Sequence, residues 1–177
     1  KEQGGSRVNV YRIEDTDFGT RQRELSWVER LDSALREDGF VLYHQAYLSL
    51  EPAKGERQCL EVLLRMVGEN AEPVAPDRFL SVAERHNLMP QIDRMVIRKV
   101  FAGYHALAAR CPGSPLTCSI NLSGASLKSS DLYPFVEELA REHALPPQAI
   151  CFEITEATAL HNLRSTVEFI TKCRTLG

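Results

Sequence analysis

The chain has 177 residues, 44% of them hydrophobic and 25% charged, with a formal net charge of −3. That apolar content is enough for a buried core, and the near-balanced charge excludes a nucleic-acid coat protein or an acidic tail. No apolar run approaches the roughly 20 residues of a membrane span, and no basic-then-apolar leader precedes the first elements.

Residues 6–13 alternate in a way that predicts a short strand after Gly4 and Gly5, and residues 14–19 read as an acidic turn. Arg21 to Arg36 reads as a helix. Leu25, Val28, Leu31 and Leu35 recur at helical spacing beside Trp27, and Asp38-Gly39 ends it. Residues 40–48 and 57–66 are rich in strand formers. The turn-like run at 51–55 between them makes a hairpin the expected pairing.

Pro76 suits the first turn of a helix running to about His86. Pro90 opens a longer helix to Arg110, with Ile92, Met95, Val96, Val100, Tyr104 and Leu107 on one side; Cys111-Pro112-Gly113 stops it. A strand at 116–122, a helix at 131–144, a strand at 149–155 and a helix at 161–176 follow. From residue 57 onward strand and helix alternate, which argues for a parallel α/β fold.

The five cysteines (Cys59, Cys111, Cys118, Cys151, Cys173) form no CxxC pair and no zinc-ligand spacing. They read as reduced, small core residues of a cytoplasmic protein. The chain starts at Lys1, which suggests an internal piece of a longer protein whose remainder carries its own sensor or membrane segments.

Three strands carry an oxygen-bearing side chain in an apolar setting: Glu61, Asn121 and Glu153. A carboxylate inside an apolar strand is expensive to bury without a partner. Neighbouring parallel strands would bring two carboxylates and an amide oxygen together, a hard-oxygen set suited to Mg²⁺ or Mn²⁺. In a barrel such groups meet at the C-terminal face of the strands. Plainer readings stand beside this one: Arg65 as the salt-bridge partner of Glu61, and Asn121 as the start of a turn. Side chains at i and i−2 share a face, so Cys59, Ser119 and Cys151 are expected as a small-residue layer beneath the three.

The same residues carry a family resemblance. Leu42-Tyr43-His44-Gln45 resembles a Leu-Tyr-x-Gln-Pro opening strand, and Glu61-Val62-Leu63-Leu64-Arg65 a Glu-Ala-Leu-Leu-Arg signature. Val74 to Phe79 and Ala83 to Leu88 resemble the proline-started helix that follows it and its Ala-Glu-x-x-Gly-Leu end. Ser119 to Ser123 resembles Val-Asn-Leu-Ser, and Glu153-Ile154-Thr155-Glu156 matches Glu-Ile-Thr-Glu. In order and spacing, residues 24–177 resemble the EAL family of cyclic-di-GMP phosphodiesterases. Val62 stands where the family has Ala, and Ala46 where it has Pro.

The resemblance implies an α/β (β/α)₈ TIM-like barrel with an antiparallel first strand, of which this chain would hold the first half. It implies hydrolysis of cyclic-di-GMP to pGpG in bacterial second-messenger signalling. Glu61, Asn121 and Glu153 would be Mg²⁺ or Mn²⁺ ligands; Gln45, Leu63 and Arg65 would contact the dinucleotide; Glu156 would support a loop over the site. The alternative is a catalytically inactive EAL domain acting as a cyclic-di-GMP receptor. Residues 1–19 resemble the tail of an upstream GGDEF-like domain plus linker, 20–38 a connector helix, and 39–177 a truncated EAL domain. The family's later Asp-Asp pair, lysine and glutamates have no counterpart in these residues, so no complete catalytic set is expected within them. Expected partners are cyclic-di-GMP, the upstream GGDEF-like or sensor domain and a second copy of the chain, with no DNA or RNA polymer.

Overall fold

A computed structural model of the chain describes residues 16–50, 57–111 and 113–177. The strand expected at 6–13 and the turn expected at 51–55 lie outside these residues, as does most of the 1–19 tail.

The chain opens on a helix, α1 (Thr16–Arg36), that starts at Thr16 and not at Arg21. Gly19 lies inside it, since a single glycine costs a helix only about 1 kcal/mol relative to alanine. The later part of α1 is docked in the core. Leu31 and Ala34 are buried in the core, whereas Leu25, expected on the buried stripe, is exposed. Asp38, not Gly39, takes the left-handed conformation that ends the helix (φ 57°). Gly39 is needed for space: a Cβ there would meet the Ala34 Cα at 2.9 Å.

β1 (Phe40–Tyr47) and β2 (Gln58–Val67) form the expected antiparallel hairpin, with Gln45 opposite Glu61. β3 (Pro73–Val74) adds a short antiparallel rung to β2. The helix expected from Pro76 to His86 is split. A 3₁₀ turn at Pro76–Arg78 is followed by α2 (Leu80–Arg85), because Phe79 leaves helical geometry at φ −134°. That break seats the Phe79 ring edge-on to Phe40, 5.9 Å between centroids.

α3 (Met89–Ala108) has its proline in the first turn, as read from the sequence. Its buried face is wider than expected. Besides Ile92, Val96, Val100 and Tyr104 it includes Met89, Asp93, Ile97 and Phe101. Then follow β4 (Leu116–Asn121), α4 (Gly124–Leu127), α5 (Leu132–Glu142), β5 (Ile150–Glu153), α6 (Glu156–His161) and α7 (Leu163–Leu176). The short α4 and α6 were not legible in the apolar periodicity, since one or two turns of helix carry too little of it.

β2, β4 and β5 run parallel, and the sheet order is β1-β2-β4-β5 with β3 beside β2. This is an α/β fold with a mixed sheet and an antiparallel first strand. Along the strands Leu60, Val62, Met66, Leu116, Cys118 and Ile120 face the helices and are buried. The alternate residues form the other face, which bears the site. The five cysteines are unpaired. Among the described residues no helix is long and apolar enough to cross a membrane.

Candidate functional site

The site grows from the alternation of β2, β4 and β5. Residues directly paired across strands share a face. Gln45 pairs with Glu61, Glu61 with Ser119, Ser119 with Cys151, and Asn121 with Glu153. Asn121 and Glu153 are the last residues of their strands, at the C-terminal edge; Glu61 lies within β2, which continues to Val67. The expected small layer is therefore staggered. Glu61 is level with Ser119 and Cys151, one step below Asn121 and Glu153. Such stagger is what a sheet curling towards a barrel requires.

The three oxygen-bearing side chains converge. The Asn121 amide nitrogen donates to Glu61 Oε1 at 3.0 Å. That bond turns the Asn121 nitrogen onto the carboxylate and leaves its carbonyl oxygen as the group that can face a cation. The Tyr47 hydroxyl donates to Glu153 Oε1 at 3.1 Å. β1 and β5 are three strand spacings apart, about 14 Å in a flat sheet. Side chains standing perpendicular to a flat sheet would not meet across that gap, so the bond reports a strongly curled, concave face.

Tyr47 was not among the residues singled out from the sequence. The available signal was its position two beyond Gln45, on the same strand face. Its hydroxyl pKa is pushed up to about 12, first by desolvation and then by the hydrogen bond and charge of Glu153 and the charge of Glu61. The phenol therefore remains a donor throughout the neutral range.

Gln45 is exposed and opposite Glu61. Leu63 is half-buried and opposite Tyr43. Arg65 does not pair with Glu61; its Nη1 donates to the Leu64 carbonyl at 2.7 Å, and its guanidinium lies 5.7 Å from the Tyr43 ring centroid. Glu156 is exposed in the first turn of α6, which Thr155 caps by accepting from the Thr158 amide. The turn after β4 is held by Asp93, a residue the sequence reading passed over. One of its oxygens accepts from the Ser123 amide and from the hydroxyls of Ser123 and Ser126. Burial pushes the Asp93 carboxyl upward, opposed by these bonds.

The donor set fits a hard divalent cation: two carboxylates and an amide oxygen, with no soft ligand needed. Among the described residues no group of three or more His, Cys, Asp or Glu side chains forms a metal cluster. The charge available here is thus that of Glu61 and Glu153, with Asn121 adding a neutral oxygen.

Among family models, that of the EAL domain matches residues 28–177. The cyclic di-GMP phosphodiesterase PdeB of Shewanella oneidensis is 33% identical over 177 residues, covering 100% of this chain and 20% of PdeB. The cyclic di-GMP phosphodiesterase PdeA of Borreliella burgdorferi is 26% identical over 144 residues, covering 81% of this chain and 21% of PdeA. The solved FimX EAL domain from Pseudomonas aeruginosa bound to c-di-GMP matches with a TM-score of 0.74 and 29% identity, over 85% of this chain and 58% of that one. The Xanthomonas citri FimX EAL domain in complex with c-diGMP matches in fold with a TM-score of 0.75 at 24% identity, over 60% of its length. The chain thus spans about a fifth of these curated relatives and under two thirds of the matched structures.

Proposed function

Because the chain belongs to the EAL domain family, we propose that it carries the metal-holding face of a phosphodiesterase that hydrolyses cyclic-di-GMP to pGpG. The observation behind this reading is the convergence of Glu61 and Asn121, 3.0 Å apart, with Glu153 on the same face.

Glu61, Asn121 and Glu153 would hold Mg²⁺ or Mn²⁺ through their oxygens. A divalent cation bound there supplies Lewis-acid polarisation of a phosphate oxygen and lowers the pKa of a water. The chain's own residues do the rest. Gln45 and Leu63 line the floor beside Glu61 and orient the dinucleotide. Arg65, held by the Leu64 carbonyl and Tyr43, offers the planar fork suited to a phosphate. Glu156 supports the loop after β5. The segment before α1 would belong to an upstream GGDEF-like domain and the start of α1 would be the connector, with 28–177 as EAL residues, in a cytoplasmic part of the parent protein.

In the full-length parent, Glu61→Ala and Glu153→Ala should each lower pGpG release by more than the roughly 10–100-fold typical of losing an outer partner of a metal ligand. Release is measured with Mg²⁺ or Mn²⁺ present and unfolding followed alongside. Near-normal rates in both variants would make these structural carboxylates. Cyclic-di-GMP binding without any turnover by the unsubstituted parent would instead favour the receptor.

A further inference from the structure

Asp93 is 4% exposed, on the stripe of α3 that packs against the sheet. Its hydrogen bonds go to Ser123, two residues beyond the proposed metal ligand Asn121, and to Ser126. One oxygen, Oδ2, accepts all three bonds: from the Ser123 amide at 3.0 Å, the Ser123 hydroxyl at 2.6 Å and the Ser126 hydroxyl at 2.6 Å. Ser123 in turn caps α4 by accepting from the Ser126 amide at 3.3 Å. Between Asn121 and Ser123, Leu122 is buried, and its amide donates to the Glu153 carbonyl at 2.9 Å.

A carboxylate with apolar neighbours is a poor way to fill a core, since a hydrophobic group of similar shape often stabilises as well or better. What a carboxylate does there is fix direction. It demands donors, and the donors here are the backbone and side chain of the turn that leaves β4. Ser123 cannot move without breaking those bonds, and Asn121 is tied to Ser123 through one buried residue.

We infer that Asp93 is a positioning residue: through Ser123 it holds the end of β4 so that the Asn121 side chain faces Glu61. This rests on the metal reading of Glu61, Asn121 and Glu153 for its functional consequence, but not for the positioning itself.

The test uses the full-length protein with Asp93→Ala, Asp93→Asn and Ser126→Ala. Mn²⁺ binding is measured by calorimetry, and amide hydrogen exchange is followed at Leu122, whose bond goes to Glu153 and not to Asp93. Asp93→Ala should weaken Mn²⁺ binding by roughly 10–100-fold and speed exchange at Leu122. Asp93→Asn keeps a carbonyl oxygen with two lone pairs, enough for two of the three bonds, so it should weaken Mn²⁺ binding less than Asp93→Ala does. Should Asp93→Ala not fold, Ser126→Ala carries the test: it removes one donor and should shift both readouts in the same direction, less far. Folded variants with unchanged Mn²⁺ affinity and unchanged Leu122 exchange overturn the inference, as does an Asp93→Asn protein as impaired as Asp93→Ala. If the unsubstituted protein binds no Mn²⁺, the metal reading fails, and Leu122 exchange alone decides the positioning.

Discussion

Tyr47 reaches from the first strand to Glu153 on the fourth strand of the sheet order, and so couples the two sides of the concave face. A hydrogen bond to a carboxylate that would ligate a metal fixes its orientation, and losing such a partner typically costs 10–100-fold in metal affinity. Tyr47→Phe should therefore weaken Mn²⁺ binding by roughly 10-fold with little change in thermal stability, because the ring keeps its packing. Calorimetry and a melting curve on the same variant check this; unchanged affinity would leave the bond without a role. The pH sign is fixed by the shift to about 12. The folded state holds the phenol proton more tightly than the unfolded chain, whose tyrosine titrates near 10. Whatever stability the bond contributes is complete below pH about 10 and lost as pH rises through about 12. A stability profile that is flat for Tyr47 below pH 9 and falls above pH 10, with the fall reduced in Tyr47→Phe, is the expected result.

At the level of elements, α1 is less a separate connector than its sequence implied. Leu31 is 0% exposed and belongs to the same core as Phe40 and Phe79. Glu24 also ties the helix to α2, accepting from Arg85 at 2.8 Å and lying 3.2 Å from His86. Those exposed contacts are individually weak, so Leu31 and Ala34, with Trp27, Val28 and Leu35 packed against the same core, carry the attachment. Leu31→Ala should destabilise by about 2–5 kcal/mol, read from urea denaturation with unchanged m-value. A loss below about 1 kcal/mol would mean that α1 can detach without disturbing the core. The apolar stripe at Leu25, Val28, Leu31 and Leu35 correctly located the helix but not where it docks. Periodicity shows which residues share a face; it does not show how far along the helix a partner extends.

For the whole molecule, β5 is the last strand in the sheet order, and α7 beside it bears an apolar row. Leu163, Val167 and Ile170 recur at helical spacing and are 60%, 53% and 37% exposed, with Leu160 at 66% just before them. Open strand edges invite pairing with another chain, and contiguous apolar patches mark association. The 177-residue polypeptide should self-associate on light scattering. Charging the row with Leu163→Glu and Val167→Glu should shift the 177-residue polypeptide back towards monomer. A compact monomer of the unsubstituted 177-residue polypeptide would sink this expectation.

The sequence by itself determined the alternation of strands and helices, the hairpin, and the face on which Glu61, Asn121 and Glu153 lie. Each is a local property: strand period, helix period, or turn chemistry. The ordered motifs from Leu42 to Glu156 determined the family, because their spacing records one chain path. Tertiary structure alone decided the rest. Curling brought Tyr47 of β1 to Glu153 of β5, a meeting of residues 106 apart in the chain that no local period encodes. The stagger of the strands placed Glu61 level with Ser119 instead of aligning all three small residues in one layer. The width of the buried face of α3 turned Asp93 inward to meet the Ser123 turn, since only a packed neighbour determines which polar residue of a helix must find its donors inside the core.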